Sequence, residues 1–440
     1  MSVIDTHTPS QTQTSSTNNT NFNVKHTSCC IVGAGPAGAF LALLLARQGI
    51  SVMLLEAHQN FNRDFRGDNV HAASIEILDQ LGLTDRIFEQ IPHSKTDGYT
   101  FITKHETLKA FDFGSLKSRH NYLTIIPQAK LLDFITTEAK RYPNFQLVMG
   151  ANVQEIIEEE GVIRGVRYKG KGNLHEVRAD LTVGADGRFS RVRQQSELKV
   201  LKFGAPMDIF WLRLPRYLEE PKGLFGRFGR RFFVLYSSFD YWQIAYVIPK
   251  GYYQKLRAAG IEALRQSVVE LIPEFSDRID FLKDWKQAAL LTCEVDRLAK
   301  WYRPGLLLIG DAAHVMSPVG GVGINCAIQD AVAAANILGK PLKAGKLRPK
   351  HLAKVQRRRE WSIRLTQAFQ SFFQKRVTAR AISEGESFRL PKFFYMPLFR
   401  YLSSRLLAYG FLPPHVNTKL FEDFDRSEAT KSSGITVSVK

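Results

Sequence analysis

The stretch from Ser28 to Glu56 constrains this chain more than any other. Ser28-Cys29-Cys30-Ile31-Val32 is a short unbroken apolar run, the form taken by a parallel strand buried on both faces. It breaks at Gly33-Ala34-Gly35-Pro36-Ala37-Gly38, and Ala39 to Gln48 then runs without a breaker, which predicts a helix. A second apolar run, Ser51 to Leu55, ends in Glu56 and Ala57. Strand, glycine turn, helix, strand and acid in that order form a dinucleotide-binding fingerprint. Gly33 permits the tight turn, Gly35 lets backbone approach a pyrophosphate, and Gly38 lets the helix pack close to the sheet. Pro36 and Ala37 open a helix whose free N–H groups suit a diphosphate. Glu56 stands where an acid accepts hydrogen bonds from ribose hydroxyls.

Residues 27 to 46 carry no charge, a length that also suits a membrane span. Three glycines and Pro36 in that run favour the strand–turn–helix instead. No basic segment with a small-residue cleavage site precedes it, so no signal peptide is expected. The 440 residues suffice for two closely joined domains, and four cysteines without metal spacing predict reduced, buried thiols in a cytoplasmic protein.

Residues 1 to 24 are rich in Thr, Ser, Asn and Gln and are expected to be a disordered leader. Arg66-Gly67-Asp68-Asn69-Val70-His71 precedes a predicted helix from Ala72 to Leu81. Residues 98 to 113 alternate with β-formers and depart into a second sheet, and Pro127-Gln128 opens a helix through Lys140. Short strands follow at 146–149 and from Val153 to Ile157, then a hairpin over 162–178. A buried strand then ends in Ala185-Asp186-Gly187 and passes into Ser190-Arg191-Val192-Arg193. From there to about 290 the text is aromatic and β-rich. A last apolar strand delivers Gly310-Asp311, and Ser317-Pro318-Val319-Gly320-Gly321-Val322-Gly323-Ile324-Asn325 forms a glycine-rich turn before a helix from Cys326 to Leu338. A helix start of that kind favours negative charge by roughly 0.3–1 kcal/mol when exposed and up to ~2 when partly buried.

With these segments together, the chain resembles the class A flavoprotein monooxygenases, the p-hydroxybenzoate-hydroxylase-like family. The resemblance spans roughly residues 28 to 415. It implies an α/β fold: a Rossmann-type FAD-binding domain with a mostly parallel sheet, an inserted β-rich substrate domain and C-terminal helices. The expected division is 25–97, 120–195 and 290–348 for the FAD domain and 98–119 with 196–289 for the substrate domain. Residues 349–415 form the helical region, and 416–440 a flexible tail. The implied cofactors are FAD and NAD(P)H. The implied FAD contacts are Gly33, Gly35, Pro36, Ala37, Gly38, Glu56, Ala57, Val153, Asp186, Gly187, Gly310, Asp311, Pro318, Gly321, Val322, Gly323, Ile324 and Asn325. Arg66-Gly67-Asp68-x-x-His71 and Pro127-Gln128 are similar to a bacterial subgroup of FAD-dependent oxidoreductases, which adds Arg66 and Gln128. His314 is expected to be structural within its turn. The implied chemistry is reduction of FAD by NAD(P)H, then addition of O₂ at flavin C4a and transfer of one oxygen to an aromatic or lipophilic small molecule. No protein nucleophile and no metal is required, and the catalytic residues are left unassigned.

Alternatives of other classes stay open. A flavin-dependent halogenase would carry Trp-x-Trp-x-Ile-Pro, whereas this chain has Ile244-Ala245-Tyr246-Val247-Ile248-Pro249. A reductase of prenyl chains and a non-enzymatic GDI-type carrier reuse the same scaffold.

The formal net charge is +18, and residues 341–410 hold sixteen Lys and Arg against Glu360, Glu384 and Glu386. No nucleic-acid motif accompanies the charge, so no nucleic acid is expected as a partner. Two readings stand for the basic, aromatic C-terminal region. Its apolar side chains either pack the last helices onto the FAD domain or meet an anionic membrane surface peripherally.

Overall fold

The computed structural model describes residues 23–62 and 68–421. Arg66, most of the predicted leader and most of the predicted tail lie outside the described residues.

The glycine fingerprint sits at the centre of an eight-stranded sheet. Strand β1 (Asn23–Val32) pairs in parallel with β2 (Val52–Glu56) on one side. Beyond β2 lies β3 (Phe145–Met149), also parallel. On the other side β1 pairs in parallel with β4 (Asn173–Gly184), and β4 with β5 (Leu306–Leu308). The core halves of β1, β2, β4 and β5 are buried on both faces, which is why they read as unbroken apolar runs, whereas only Phe145 of β3 is buried. The predicted hairpin is present: Val162–Gly170 pairs antiparallel with β4 and with Asn152–Glu159. β1 begins five residues earlier than its apolar run, because its polar start continues the ladder along the first half of β4, Asn23 opposite His175.

Three helices cover this sheet or close it. α1 (Pro36–Ala46) has ten of its eleven residues buried and packs against α2 (Gln128–Ala139) and α3 (Gly323–Lys343). α3 is the one described helix long and apolar enough to cross a membrane, and most of it is buried inside the protein. It starts at Gly323, not at Cys326. A first-turn residue owes no intrahelical N–H bond, so a glycine there does not break the helix.

A second, seven-stranded sheet is mixed and lies across the chain from Gly98 to Leu291. Met207–Pro215 and Tyr241–Pro249 form its long central pair, and Gly98–Ile102 joins it in parallel to Leu224–Phe228, as the alternation over 98–113 predicts. Past α3 the chain runs into α4 (Pro349–Phe373), a π-helical turn at Gln374–Thr378, and α5 (Pro397–Tyr409). Leu352, Val355, Ile363, Phe373, Phe388, Phe394 and Leu407 are buried, so this region does pack onto the body. Trp361, Leu365, Phe372, Leu398, Tyr401 and Leu402 remain exposed.

Candidate functional site

A cavity of about 770 Å³ opens at the C-terminal ends of the parallel strands, where ligands settle in open α/β sheets. Of the residues singled out in the sequence, Gly33, Gly35, Pro36, Ala37, Glu56, Ala57, Gln128, Val153, Asp186, Gly187, Asp311, Pro318, Gly321, Gly323 and Ile324 line it. The other described ones, Gly38, Gly310, Val322 and Asn325, do not line it. A Cβ on Gly38 would stand 1.9 Å from the Gly33 carbonyl oxygen, so Gly38 is a packing residue under the turn. Gly310 is buried with φ +59° against Ala37 and Ala327. Val322 is turned inward. Asn325 is also turned inward, its Oδ1 accepting from the His71 N–H at 2.8 Å and the Ser74 hydroxyl at 2.7 Å.

The turn after β1 is fastened by its own neighbourhood. The Gly33 N–H donates to Leu55 O at 2.7 Å, and the Ala34 N–H to Glu56 Oε2 at 3.0 Å. Glu56 Oε1 accepts from the His58 N–H at 3.0 Å and lies 2.7 Å from His58 Nδ1. A Cβ at Gly35 or at Gly323 would meet nothing within 4 Å, so the starts of α1 and α3 both look onto open space. Asp186 is pushed up by burial, against the Ser190 hydroxyl at 2.5 Å and the Val192 N–H at 3.2 Å, which draw it down. Ser190 and Arg193, from the same motif, are structural. The Ser190 Oγ accepts from the Arg193 N–H at 2.9 Å, and Arg193 Nη1 pairs with Asp296 at 3.0 Å.

Sequence reasoning missed the wall contributed by the second sheet. Trp211, Tyr236, Tyr241 and Gln243 line the cavity there, with Asp68 below them. A signal was present: Arg213 and Gln243 interrupt apolar stretches of their strands, and they face each other across the ladder at 3.3 Å. Asp68 accepts from the Gln128 N–H at 3.0 Å, and burial pushes its carboxyl up to about 6.

A second cavity of about 60 Å³ lies beside the first and is almost wholly apolar, walled by Phe101, Phe111, Phe232, Phe373 and Leu407 among others. Tyr236 and Pro318 belong to both cavities. Its polar groups are few: the Tyr99 and Tyr236 hydroxyls, 3.3 Å apart, and Thr378. Burial raises both phenols, so both stay protonated near neutral pH and serve as hydrogen-bond donors rather than bases.

His314 behaves as expected, buried in its turn with Nε2 2.6 Å from Asp330 Oδ2. Among the described residues, no group of three or more His, Cys, Asp and Glu could hold a metal ion, and the four cysteines are free and buried.

Comparison with known proteins matches this geometry. The chain is 34% identical to 6-methylpretetramide 4-monooxygenase of Streptomyces rimosus, over 90% of this chain and 96% of that protein. It is 26% identical to pentachlorophenol 4-monooxygenase of Sphingobium chlorophenolicum, over 68% of this chain and 56% of that protein. Two solved structures share the fold. Against OxyS anhydrotetracycline hydroxylase from Streptomyces rimosus the TM-score is 0.66, with 23% identity over 87% of this chain and 76% of that chain. Against the flavin-dependent brominase Bmp2 it is 0.69, with 17% identity over 92% and 100%. Residues 26–367 match the family described as FAD binding domain. The chain belongs to that family and is a class A FAD-dependent monooxygenase.

Proposed function

We propose that the large cavity holds FAD and that its second-sheet side, with the apolar cavity beyond, receives an extended aromatic substrate for hydroxylation. The cavity volume is within the range of cofactor sites, and the two open glycine positions leave room for a phosphate at α1 and a ring system at α3. In this reading Gly33 to Ala37 bind the diphosphate, Glu56 the adenosine ribose, and Asp311 the ribityl chain. Gln128 and the Pro318–Ile324 segment surround the ring, with Val153, Asp186 and Gly187 closing the site. FAD held there would supply hydride acceptance from NAD(P)H and O₂ activation. The chain's own residues position the substrate and exclude water. The same reading divides the chain into an FAD domain built on the parallel sheet and a substrate domain built on the mixed one.

The observation that carries the substrate side is the shared wall. Tyr236 and Pro318 stand between a large cavity of mixed polar and apolar lining and a small aromatic-lined one. An apolar cavity of 60 Å³ is smaller than the ~150 Å³ that accommodates benzene. A ring substrate therefore lies partly in the large cavity, beside Trp211 and Gln243, with Tyr236, whose hydroxyl accepts from Tyr99, donating to its oxygen. A fused-ring phenol fits that arrangement, and the Streptomyces rimosus relative is named for 6-methylpretetramide. Purified protein should carry FAD, with Glu56→Ala and Asp311→Ala weakening its retention. Anaerobic stopped-flow reduction by NAD(P)H should accelerate with polycyclic phenols, and labelled O₂ should appear in product. Label arriving from water, or full flavin affinity in both variants, would sink the reading.

A peripheral membrane contact is proposed as part of it. Trp361, Leu365 and Phe372 share the outer face of α4, and Leu398, Tyr401 and Leu402 that of α5, bridged by Phe372 against Phe393 at 5.6 Å. Arg364, Lys375, Arg376, Lys392 and Arg405 are exposed among them. Each Lys or Arg near an anionic surface contributes about 1 kcal/mol. The protein should float with phosphatidylglycerol vesicles at low salt and less so at raised salt. Protein left at the bottom of the low-salt gradient removes the membrane contact and leaves the hydroxylase intact.

A further inference from the structure

One row of amides on α4 and the π-helical turn that continues it holds the loop that divides the two cavities. Gln367, Gln370 and Gln374 recur at i, i+3 and i+7, on one helix face, and all three are buried. Gln367 Nε2 donates to Asp296 O at 2.9 Å and Val315 O at 3.2 Å. Gln370 Nε2 donates to Ser317 O at 2.7 Å and Val319 O at 2.8 Å. Gln374 Nε2 donates to Ser317 Oγ at 2.9 Å, and the same oxygen accepts from the Val319 N–H at 3.2 Å. The orientation of the Gln370 amide is not ambiguous, because a flipped oxygen would confront two carbonyls.

We infer that Gln370 is a positioning residue for the cofactor-facing loop. This rests on the proposal that the large cavity holds FAD. A peptide is planar and trans, so drawing the Val319 carbonyl onto α4 turns the Gly320 N–H the opposite way, away from α4. Asn325 Nδ2 takes the Gly321 carbonyl at 3.4 Å from the other end. The Ser317, Val319 and Gly321 carbonyls are engaged by side chains and the Pro318 carbonyl by the Gly321 N–H at 3.0 Å, so the loop turns the start of α3 rather than these oxygens toward the large cavity. Such a surface favours a ring that becomes more negative on reduction. Gln370 spends both amide hydrogens on this task, while its buried Oε1 has no hydrogen-bond partner among the described residues. Leaving that acceptor unmet is the cost of the orientation.

Gln370→Met keeps the length and removes the donors. Gln356→Met is its control: Gln356 lies on the same helix and also serves backbone, accepting from the Trp301 N–H at 3.0 Å and donating to Ala299 O at 3.1 Å, away from the cavity loop. FAD affinity is read by titrating apoprotein, and the midpoint potential by dye equilibration. Gln370→Met should lower affinity for reduced FAD tenfold more than for oxidised FAD, moving the two-electron potential about 30 mV more negative. Gln356→Met should leave both quantities at wild-type values, whatever it does to melting temperature. An unshifted potential in Gln370→Met, or an equal shift in Gln356→Met, overturns the assignment. Should Gln370→Met fail to fold, Gln374→Met removes only the Ser317 contact. It should shift the potential in the same direction by less, and a zero shift there also overturns it. Wild-type protein that takes up no FAD overturns the cofactor reading along with it, so the two failures are distinguishable.

Discussion

The large cavity has two glycine-built walls that face the same space and are supported in opposite ways. The turn from Gly33 to Gly38 is held by Leu55, Glu56 and the end of β4, all parts of one strand–turn–helix–strand unit and its neighbour. The Ser317–Gly323 loop is held by side chains from far along the chain: Gln370 on α4, Gln374 in the π-helical turn after it, and Asn69 against Gly321; beside it Asp330 on α3 takes the Gly310 N–H at 3.0 Å. A locally closed wall announces itself in a short motif. A remotely propped wall shows its glycines but not what orients them.

The sharpest way to break the first wall is Gly38→Val. Its Cβ would overlap the Gly33 carbonyl oxygen, and backbone cannot move aside as a flexible side chain can. Overpacking of this kind costs typically 1–3 kcal/mol and here should exceed about 3. Soluble expression and urea unfolding of the apoprotein check it, and stability within about 1 kcal/mol of wild type would show that the turn is not locally fixed.

The second wall should fail through its prop rather than its loop. Asp330 and Arg359 are fully buried and meet at 2.8 Å, with His314 on the other carboxylate oxygen. Burial alone would raise Asp330, but His314 and Arg359 hold it below the usual carboxylate range. The two terminal nitrogens of Arg359 have no hydrogen-bond partner among the described residues, so this charge depends on Asp330. Asp330→Asn leaves it uncompensated and should cost about 3–5 kcal/mol. A loss below about 1 kcal/mol would mean the loop is held without the cluster.

The same contrast explains what the sequence disclosed. The parallel strands, the first turn and the order of motifs were legible because burial on both faces and a tight turn each leave a local signature. Hydrophobic spacing marked α2 from Gln128, the hairpin and the departure at Gly98. Gly323 was taken for a turn residue, since nothing local distinguishes a glycine before a helix from one at its first position. Tyr236, Trp211 and Gln243 escaped because pairing between distant strands brings them to the cavity. The glutamines of α4 escaped because a buried amide on a polar-looking helix resembles a solvated one until its carbonyl partners are known. Arg66 lies outside the described residues, so its expected flavin contact stays a proposal.

The smallest effect concerns the segment between the walls, where Asp68 and His71 titrate against each other. Both are buried, and burial is the main cause for each: it pushes Asp68 up to about 6 and His71 down to about 4. Their unfolded values are near 3.8 and 6.5. Between about pH 4 and 6 the folded state keeps a proton on Asp68 that the unfolded chain has lost, so that group makes stability fall as pH rises. Over nearly the same window the unfolded chain protonates its histidine while folded His71 stays neutral, so that group makes stability rise with pH. Each contribution is on the order of 3 kcal/mol, and they nearly cancel. Removing either should unmask the other. Measured by urea unfolding of apoprotein, the gap between wild type and His71→Gln should widen in favour of wild type from pH 4 to 6.5. Asp68→Asn should gain on wild type from pH 4 to 6. The pair also sharpens the comparison of walls, because the His71 N–H and the Asn69 carbonyl both bind Asn325 at the start of α3. Variant profiles running parallel to wild type would show that neither group titrates apart from its unfolded value, and that the segment props the second wall without an ionisable cost.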